Sequence, residues 1–150
     1  MTTCSAGLRR ASALALAVFV AASASAADIG QIKVSNGEVT VERKGELRPG
    51  TIGTRLESSD VVRTGAAGSV GITMADNSLL SAGPNSILSL DRFDFDPTSN
   101  QGRFDAQLQK GSLAVISGRI AKQAPEAMTV RTPSAILGVR GTEFAVAAND

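Results

Sequence analysis

The chain has 150 residues, with 15 Lys and Arg, 14 Asp and Glu and no His, so its formal net charge at pH 7 is +1. A nearly neutral chain without a basic cluster is a poor binder of nucleic acid, because phosphate neutralisation dominates that affinity. It has one Cys and no Trp or Tyr, which disfavours thiol chemistry and the ring stacking that sugar-binding proteins use.

The first 26 residues are predicted to be a secretory signal peptide. Two arginines precede an uncharged apolar run at positions 11–22, and the segment 24–26 (ASA) supplies the small residues that a signal peptidase reads. The apolar run is well short of the roughly 20 residues that a membrane-spanning helix needs. We therefore expect cleavage after Ala26, a periplasmic or secreted location, and no membrane span after cleavage.

Removal of this segment changes the composition of the mature chain. Arg9 and Arg10 leave with it and no acidic residue does, so 13 basic residues (15 − 2) remain with 14 acidic ones, a net charge of −1. Cys4 also leaves, so a hydrophobic core must stabilise the remaining 124 residues (150 − 26) without a disulfide. We expect one domain over residues 27–150.

Short apolar runs that alternate with polar residues follow one another through the mature chain. In the segment 32–43 (IKVSNGEVTVER) the alternation continues on both sides of Asn36 and Gly37. Both residue types tolerate positive φ, so this segment predicts a hairpin. The segment 70–90 continues the pattern, with two further turn signals.

The second half of the mature chain has the same character. The segment 91–96 (DRFDFD) is typical of a strand with one solvated face, and 103–108 (RFDAQL) is expected to return antiparallel to it. Segments 111–118 (GSLAVISG) and 128–132 (MTVRT) predict further strands, whereas 118–128 is interpreted as an exposed excursion. Turn signals at intervals of roughly 8–12 residues with almost no helical period predict an all-β domain, either a compact sandwich or a β-roll or solenoid.

The mature chain offers little catalytic chemistry. Without His or Cys, a nucleophile would have to be Ser or Thr with Lys, or the reaction would need a carboxylate pair. The lysines lie near turns or strand ends and are expected to be solvated. We therefore expect no enzyme activity, no catalytic residue and no cofactor.

One loop has some features of a calcium site. Oxygen-bearing side chains occupy alternate positions: Asp94, Asp96, Thr98 and Asn100. Ser99 stands where a calcium loop requires Gly, however, and no bidentate carboxylate closes the loop. We expect no metal here, and Asp94 and Asp96 are interpreted as the solvated face of a strand.

The segment 132–146 (TPSAILGVRGTEFAV) is the most informative part of the sequence. Two glycines flank Arg140, so exposed N–H groups and a guanidinium could bind a carboxylate or phosphate. Alternatively, the glycines permit a tight corner between strands, Arg140 pairs with a carboxylate such as Glu143, and Phe144 enters the core. This architectural interpretation is favoured because fold elements outnumber grafted sites, with partner contact as the alternative.

Four segments resemble the periplasmic FecR domain: SSDVVRTG (58–65), MADNSLLSAGPNSILSL (74–90), LQKGSLAV (108–115) and TPSAILGVRGTEFAV (132–146). The resemblance covers residues 39–146, approximately, and its closing motif is the most specific part. The motif residues are interpreted as structural or partner-contact positions, and they are Thr132, Pro133, Gly138, Arg140, Gly141, Thr142, Glu143 and Phe144.

The resemblance implies the fold and a periplasmic compartment. FecR regulators of iron-citrate transport carry a cytoplasmic segment that controls a sigma factor and then a membrane helix, whereas here a signal peptide is expected in their place. The favoured prediction is a non-enzymatic protein-interaction or scaffold module of the cell envelope, which binds unidentified envelope proteins through a strand edge. The alternatives are an accessory in envelope or iron-type cell-surface signalling beside a separate sigma-factor regulator, and a calcium-binding secreted module.

Overall fold

The computed structural model describes residues 27–139 and 143–149, together with Thr3. Within this part of the chain the strands are β1 (Gly30–Asn36), β2 (Val39–Arg43), β3 (Glu46–Pro49), β4 (Arg55–Leu56), β5 (Val61–Thr64), β6 (Ser69–Met74), β7 (Leu79–Ala82), β8 (Ile87–Phe95), β9 (Gly102–Ile116), β10 (Met128–Arg131), β11 (Ile136–Gly138) and β12 (Glu143–Ala148). A short helix α1 (Arg119–Gln123) and a 3₁₀ turn (Pro125–Ala127) lie between β9 and β10.

The strands form a curled, mainly antiparallel sheet that makes a half-barrel, so the all-β prediction is confirmed. The main path runs β3-β2-β5-β8-β9-β7-β6-β1-β4. The long strand β9 pairs with β8 and β10 along its first part and with β7 and β12 along its second part. We call β4, β1, β6, β7, β12 and the second part of β9 half-sheet A. The strands β3, β2, β5, β8, β10, β11 and the first part of β9 form half-sheet B.

β9 passes from one half-sheet to the other at Gly111. The residue has φ +92, and a Cβ there would lie 2.2 Å from Ser86 Oγ and 2.5 Å from Ser86 Cα. Side chains other than Gly rarely adopt this φ, and none fits the space. The two strands predicted for 103–108 and 111–118 are therefore one strand with a glycine bend between its parts.

The hairpin predicted for residues 32–43 is wrong. β1 pairs with β4 and β6, whereas β2 pairs with β3 and β5. Gly37 does have φ +63, but its turn leads the chain between half-sheets and lies against the β5–β6 turn, where a Cβ would be 2.3 Å from Ala67 O. The hairpin is β2–β3, whose turn residues Lys44 (φ 51) and Gly45 (φ +81) are both left-handed, as in a type I′ turn.

The predicted antiparallel return after DRFDFD is confirmed. β8 and β9 pair antiparallel, with Phe93 opposite Phe104. Their ring centroids are 5.4 Å apart in an edge-to-face arrangement, which stabilises beyond the area that the rings bury. Asp94 is exposed on the other face. The strand predicted at 128–132 forms as β10, which runs parallel to β9.

The segment 118–128 is not the exposed excursion that its sequence suggested. It contains α1 and the 3₁₀ turn, and the side chains of Ile120 and Ala121 are buried in the core. The α1 helix has 5 residues, too few to show a helical period. The start of α1 is held by Asp76, whose carbonyl accepts from Arg119 N at 2.8 Å and whose carboxylate accepts from Ile120 N at 3.3 Å.

The core lies on the inner face of the curled sheet, where both half-sheets direct alternate residues. β6 and β7 show this alternation clearly, with every second residue buried. The largest fully buried side chains are Phe104, Ile32, Leu56, Ile72, Met74, Leu80, Leu88, Leu90, Leu108, Leu113, Ile120 and Met128. These side chains come from both half-sheets, and their burial stabilises the curled shape of the sheet.

Candidate functional site

The first part of the closing motif forms the turn between β10 and β11. Thr132 N donates to Ala135 O at 2.8 Å, and Ala135 N donates to Thr132 Oγ1 at 3.1 Å. Pro133 is exposed within this turn. Thr132 therefore has a structural role, because its backbone and hydroxyl close the turn that places β11 beside β10.

β11 is a short strand on the outside of half-sheet B. It pairs antiparallel with β10, with Ile136 opposite Arg131 and Gly138 opposite Thr129. Ile136 is 73% exposed, the highest value among the large hydrophobic residues that the structure describes. The following residue Val139 is buried, and its N donates to Met128 O at 3.3 Å. β11 is thus anchored at its end, while Ile136 faces solvent.

Gly138 ends β11, ahead of the corner that the motif glycines were predicted to permit, and that corner itself falls outside the described residues. The φ of Gly138 is outside the left-handed region, and a Cβ placed on it would have no atom of the described residues within 4 Å. The residue is exposed at the end of β11. Nothing in the described part of the chain therefore restricts position 138 to glycine.

The last part of the motif belongs to the other half-sheet. Glu143 and Phe144 begin β12, opposite Ile116 and Val115 of β9. Glu143 is exposed, whereas Phe144 is half-buried and packs against the core. The motif therefore connects half-sheet B, through β11, with half-sheet A, through β12. Arg140, Gly141 and Thr142, which were predicted to lie at the centre of the motif, fall outside the described residues.

Two buried carboxylates were missed as organising residues by the sequence reasoning. Asp60 is 1% exposed and accepts two hydrogen bonds from Arg43. Hydrogen bonding to Asp60 is the largest cause of the raised pKa of the Arg43 guanidinium. Asp76 is fully buried and accepts from Ser78 N at 3.0 Å and Ser78 Oγ at 2.8 Å. The sequence signal for both residues was weak: each is a polar residue next to a segment in which apolar residues alternate.

The carboxylates of the loop that was compared with a calcium site are engaged locally. Asp94 binds Arg92 Nε at 2.6 Å. Asp96 accepts from Thr98 N and from Ser99 Oγ, both at 2.9 Å. These two bonds are the main causes of the lowered pKa of Asp96. In the described ranges 27–139 and 143–149, no group of three or more His, Cys, Asp or Glu side chains could hold a metal ion.

The outer faces of the two half-sheets differ in character. Half-sheet B carries outward ion pairs such as Arg63–Glu42 at 2.8 Å and Arg103–Asp105 at 2.9 Å. Half-sheet A has two adjacent shallow grooves of about 300 and 480 Å³ over small and apolar residues, and a more polar groove of about 370 Å³ beside Asp28, Lys33 and Arg55. The geometry therefore offers two candidate contact surfaces. One is the edge at β11, which pairs with β10 alone among the described strands, and the other is the outer face of half-sheet A.

Comparison with known proteins identifies the class to which this all-β fold belongs. A family model described as FecR protein matches residues 60–150, more than half of the chain. The chain belongs to the FecR family. No curated protein and no solved structure matches it. Among the residues that the structure describes, no helix combines the length and the apolar character needed to cross a membrane.

Proposed function

We propose that this FecR-family chain acts outside the cytoplasm as a non-enzymatic protein-interaction module of the cell envelope. An extended segment of an envelope protein adds to the sheet beside β11. In this binding mode, main-chain hydrogen bonds supply affinity and side-chain contacts supply specificity. The observation that carries the proposal is the exposed edge of β11, with Ile136 73% exposed.

The comparison of β11 with another edge strand supports this assignment. Soluble proteins protect free strand edges with charged residues and Pro, because an unprotected edge pairs with other chains. β3 has the sequence ELRP and is exposed throughout, with Arg48 paired to Glu46 at 3.1 Å. β11 has the sequence ILG, with no charge and no Pro. An edge without protection is expected where pairing is the function.

The space around β11 also suits an added strand. Among the residues 27–139 and 143–149, none has an atom within 4 Å of the position that a Cβ of Gly138 would occupy, which leaves space there for a partner side chain. Val139 is buried and its N donates to Met128 O, which fixes the end of β11. A fixed strand binds with a smaller loss of conformational entropy than a mobile one.

In-cell crosslinking from a defined position tests this function. A photo-crosslinking amino acid replaces Ile136 in one version of the protein and Leu47 in a second. Leu47 is a matched control because it is 67% exposed on the edge strand β3. We expect an envelope protein to be captured from position 136 and not from position 47. Equal capture from both positions, or none from position 136, contradicts the proposal.

A second pair of variants tests whether the edge itself is the contact. Ile136→Lys introduces the charge that protects other edges, so it is expected to remove the captured complex and leave the melting temperature unchanged. Leu47→Lys is expected to change neither. Turnover of an envelope substrate by the purified protein, lost on replacement of one Ser, Lys or Asp, would contradict the non-enzymatic part of the proposal.

A further inference from the structure

The outer face of half-sheet A is apolar over β6, β7 and the second part of β9, and its charged residues lie at the margins, on β4, β1 and β12. Its apolar side chains include Leu79 and Ile116, each 43% exposed, and Val34, 49% exposed. Small residues fill the positions around them, and these are Gly71, Ser81, Gly83, Ser112, Ala114, Ala145 and Ala147. An exposed apolar sheet face of this kind is typical of an interaction site.

The pairing register places opposite charges on the two sides of one row of outward-facing residues. Thr73, Leu79, Ile116 and Glu143 are neighbours across β6, β7, β9 and β12. Beyond Thr73 the row continues through Gln31 on β1 to Arg55 on β4, whose guanidinium pairs with Asp28 at 2.6 Å. Lys33 Nζ donates to Gln31 Oε1 at 2.7 Å, so the ammonium lies beside β1, four strands from the Glu143 carboxylate on β12.

This arrangement is self-complementary about β7. β7 is the middle one of the five strands β1, β6, β7, β9 and β12, and the two-residue strand β4 lies beyond β1. A two-fold axis along β7, between two facing copies, would place Lys33 of each copy opposite Glu143 of the other. The same axis would place Leu79 opposite its equivalent and Thr73 opposite Ile116. Facing identical surfaces related by a two-fold axis are the usual geometry of homodimers.

We infer that the outer face of half-sheet A binds a second copy of this chain, sheet against sheet, with Lys33 of each copy paired to Glu143 of the other. The small residues allow two sheets to approach closely, at the spacing of about 10 Å that stacked sheets adopt. Lys33 and Glu143 favour this orientation, because Arg55, the cation further out on β4, is already paired with Asp28. This interaction is separate from the edge contact proposed at β11.

The size of the face predicts a weak dimer. Five strands with a spacing of about 4.8 Å give a face about 20 Å wide between the outer strands. An interface of this width is at the low end of specific protein–protein contacts. We therefore expect a dissociation constant between about 1 µM and 1 mM, so the measurement must reach high protein concentration.

Sedimentation of the purified protein over about 10 µM to 1 mM tests the inference. We expect a monomer–dimer equilibrium that Leu79→Lys shifts to monomer over the whole range. Ile136→Lys is the matched control, because it adds the same charge at an exposed isoleucine outside half-sheet A, and it should leave the equilibrium unchanged. A protein that stays monomeric at the highest concentration overturns the inference. So does a dimer that Leu79→Lys leaves intact.

A charge exchange tests the orientation independently of folding. Lys33→Glu and Glu143→Lys should each weaken the dimer about tenfold, and the double variant should restore it to within about threefold of the wild type. Failure of the double variant to restore association overturns the proposed pairing. Ile136 lies outside this face, so the two proposals can fail separately. If no envelope partner is captured at position 136 but the dimer forms, the edge proposal fails. If the partner is captured but no dimer forms, the dimer inference fails.

Discussion

Arg43 and Asp60 join the end of β2 to the start of β5 through two parallel hydrogen bonds. Arg43 Nε donates to Asp60 Oδ1 at 2.9 Å, and Nη2 donates to Oδ2 at 2.7 Å. The Asp60 side chain is 1% exposed, and Arg43 also binds Glu57 Oε1 at 2.8 Å. The charge of this buried carboxylate is therefore compensated within the fold, and Glu57 N also donates to it at 2.8 Å. The start of the FecR match at residue 60 is therefore an architectural position.

Asp60→Ala should lower the free energy of unfolding by about 3 kcal/mol. Removal of the carboxylate leaves the partly buried Arg43 guanidinium without its main partner, which is costly. Asp94→Ala is the control, since it removes the partner of Arg92 from a pair in which both side chains are more than half exposed. This loss should be below about 1 kcal/mol. Urea denaturation measures both values, and equal losses would show that the Arg43–Asp60 pair is not structural.

Gly111→Ala should be severely destabilising and Gly138→Ala nearly neutral. Gly111 combines φ +92 with contact to Ser86, whereas Gly138 has an ordinary φ and open space. We expect Gly111→Ala to cost more than about 3 kcal/mol and Gly138→Ala less than about 0.5 kcal/mol. Thermal and urea unfolding compare the two variants. If Gly111→Ala keeps the wild-type stability, β9 does not bend at this residue in the way described.

The alternation of residues was sufficient to predict the strand content, but it did not reveal which strands are neighbours. Val70, Ile72 and Met74 are buried on one face of β6, as their period of two indicated. The turn at Gly37 was misassigned because positive φ suits both a hairpin and a corner between half-sheets. The parallel pairing of β10 with β9 joins residues that are distant in sequence, and no local pattern specifies such pairing.

The candidate site was predicted only in part, for a related reason. The sequence singled out the segment 132–146, but it could not show that β11 lies at an edge, because this depends on the order of the whole sheet. The burial of Asp60 depends in the same way on Arg43, which lies 17 positions earlier in the chain. The outer face of half-sheet A includes both β1 and β12, the first and last strands described, so its composition also depends on the order of the whole sheet.

Asp76→Ala should loosen α1 more than the rest of the fold. The carboxylate accepts from Ser78 N, Ser78 Oγ and Ile120 N, and these donors would lose their partner at a buried site. We expect a loss of about 1–3 kcal/mol in the free energy of unfolding. Amide hydrogen exchange should accelerate more in α1 than in β9. Asp76→Asn, which keeps one oxygen acceptor, should give a smaller change, and unchanged exchange in α1 would contradict this role.

Asp96 should titrate below the ordinary pKa of an aspartate, given as 3.8 for the isolated side chain. The main cause is the hydrogen bond from Thr98 N, followed by the one from Ser99 Oγ, and both favour the charged carboxylate. Since the pKa in the fold is lower than in the unfolded chain, ionised Asp96 stabilises the 96–101 turn above the unfolded pKa. That contribution is lost as the pH falls through the folded pKa.

NMR titration of the carboxyl carbon of Asp96 measures this pKa directly. Ser99→Ala should raise the pKa more than Thr98→Ala does, because Thr98→Ala keeps the backbone N–H. An ordinary pKa in the wild-type protein would show that this turn does not form as described.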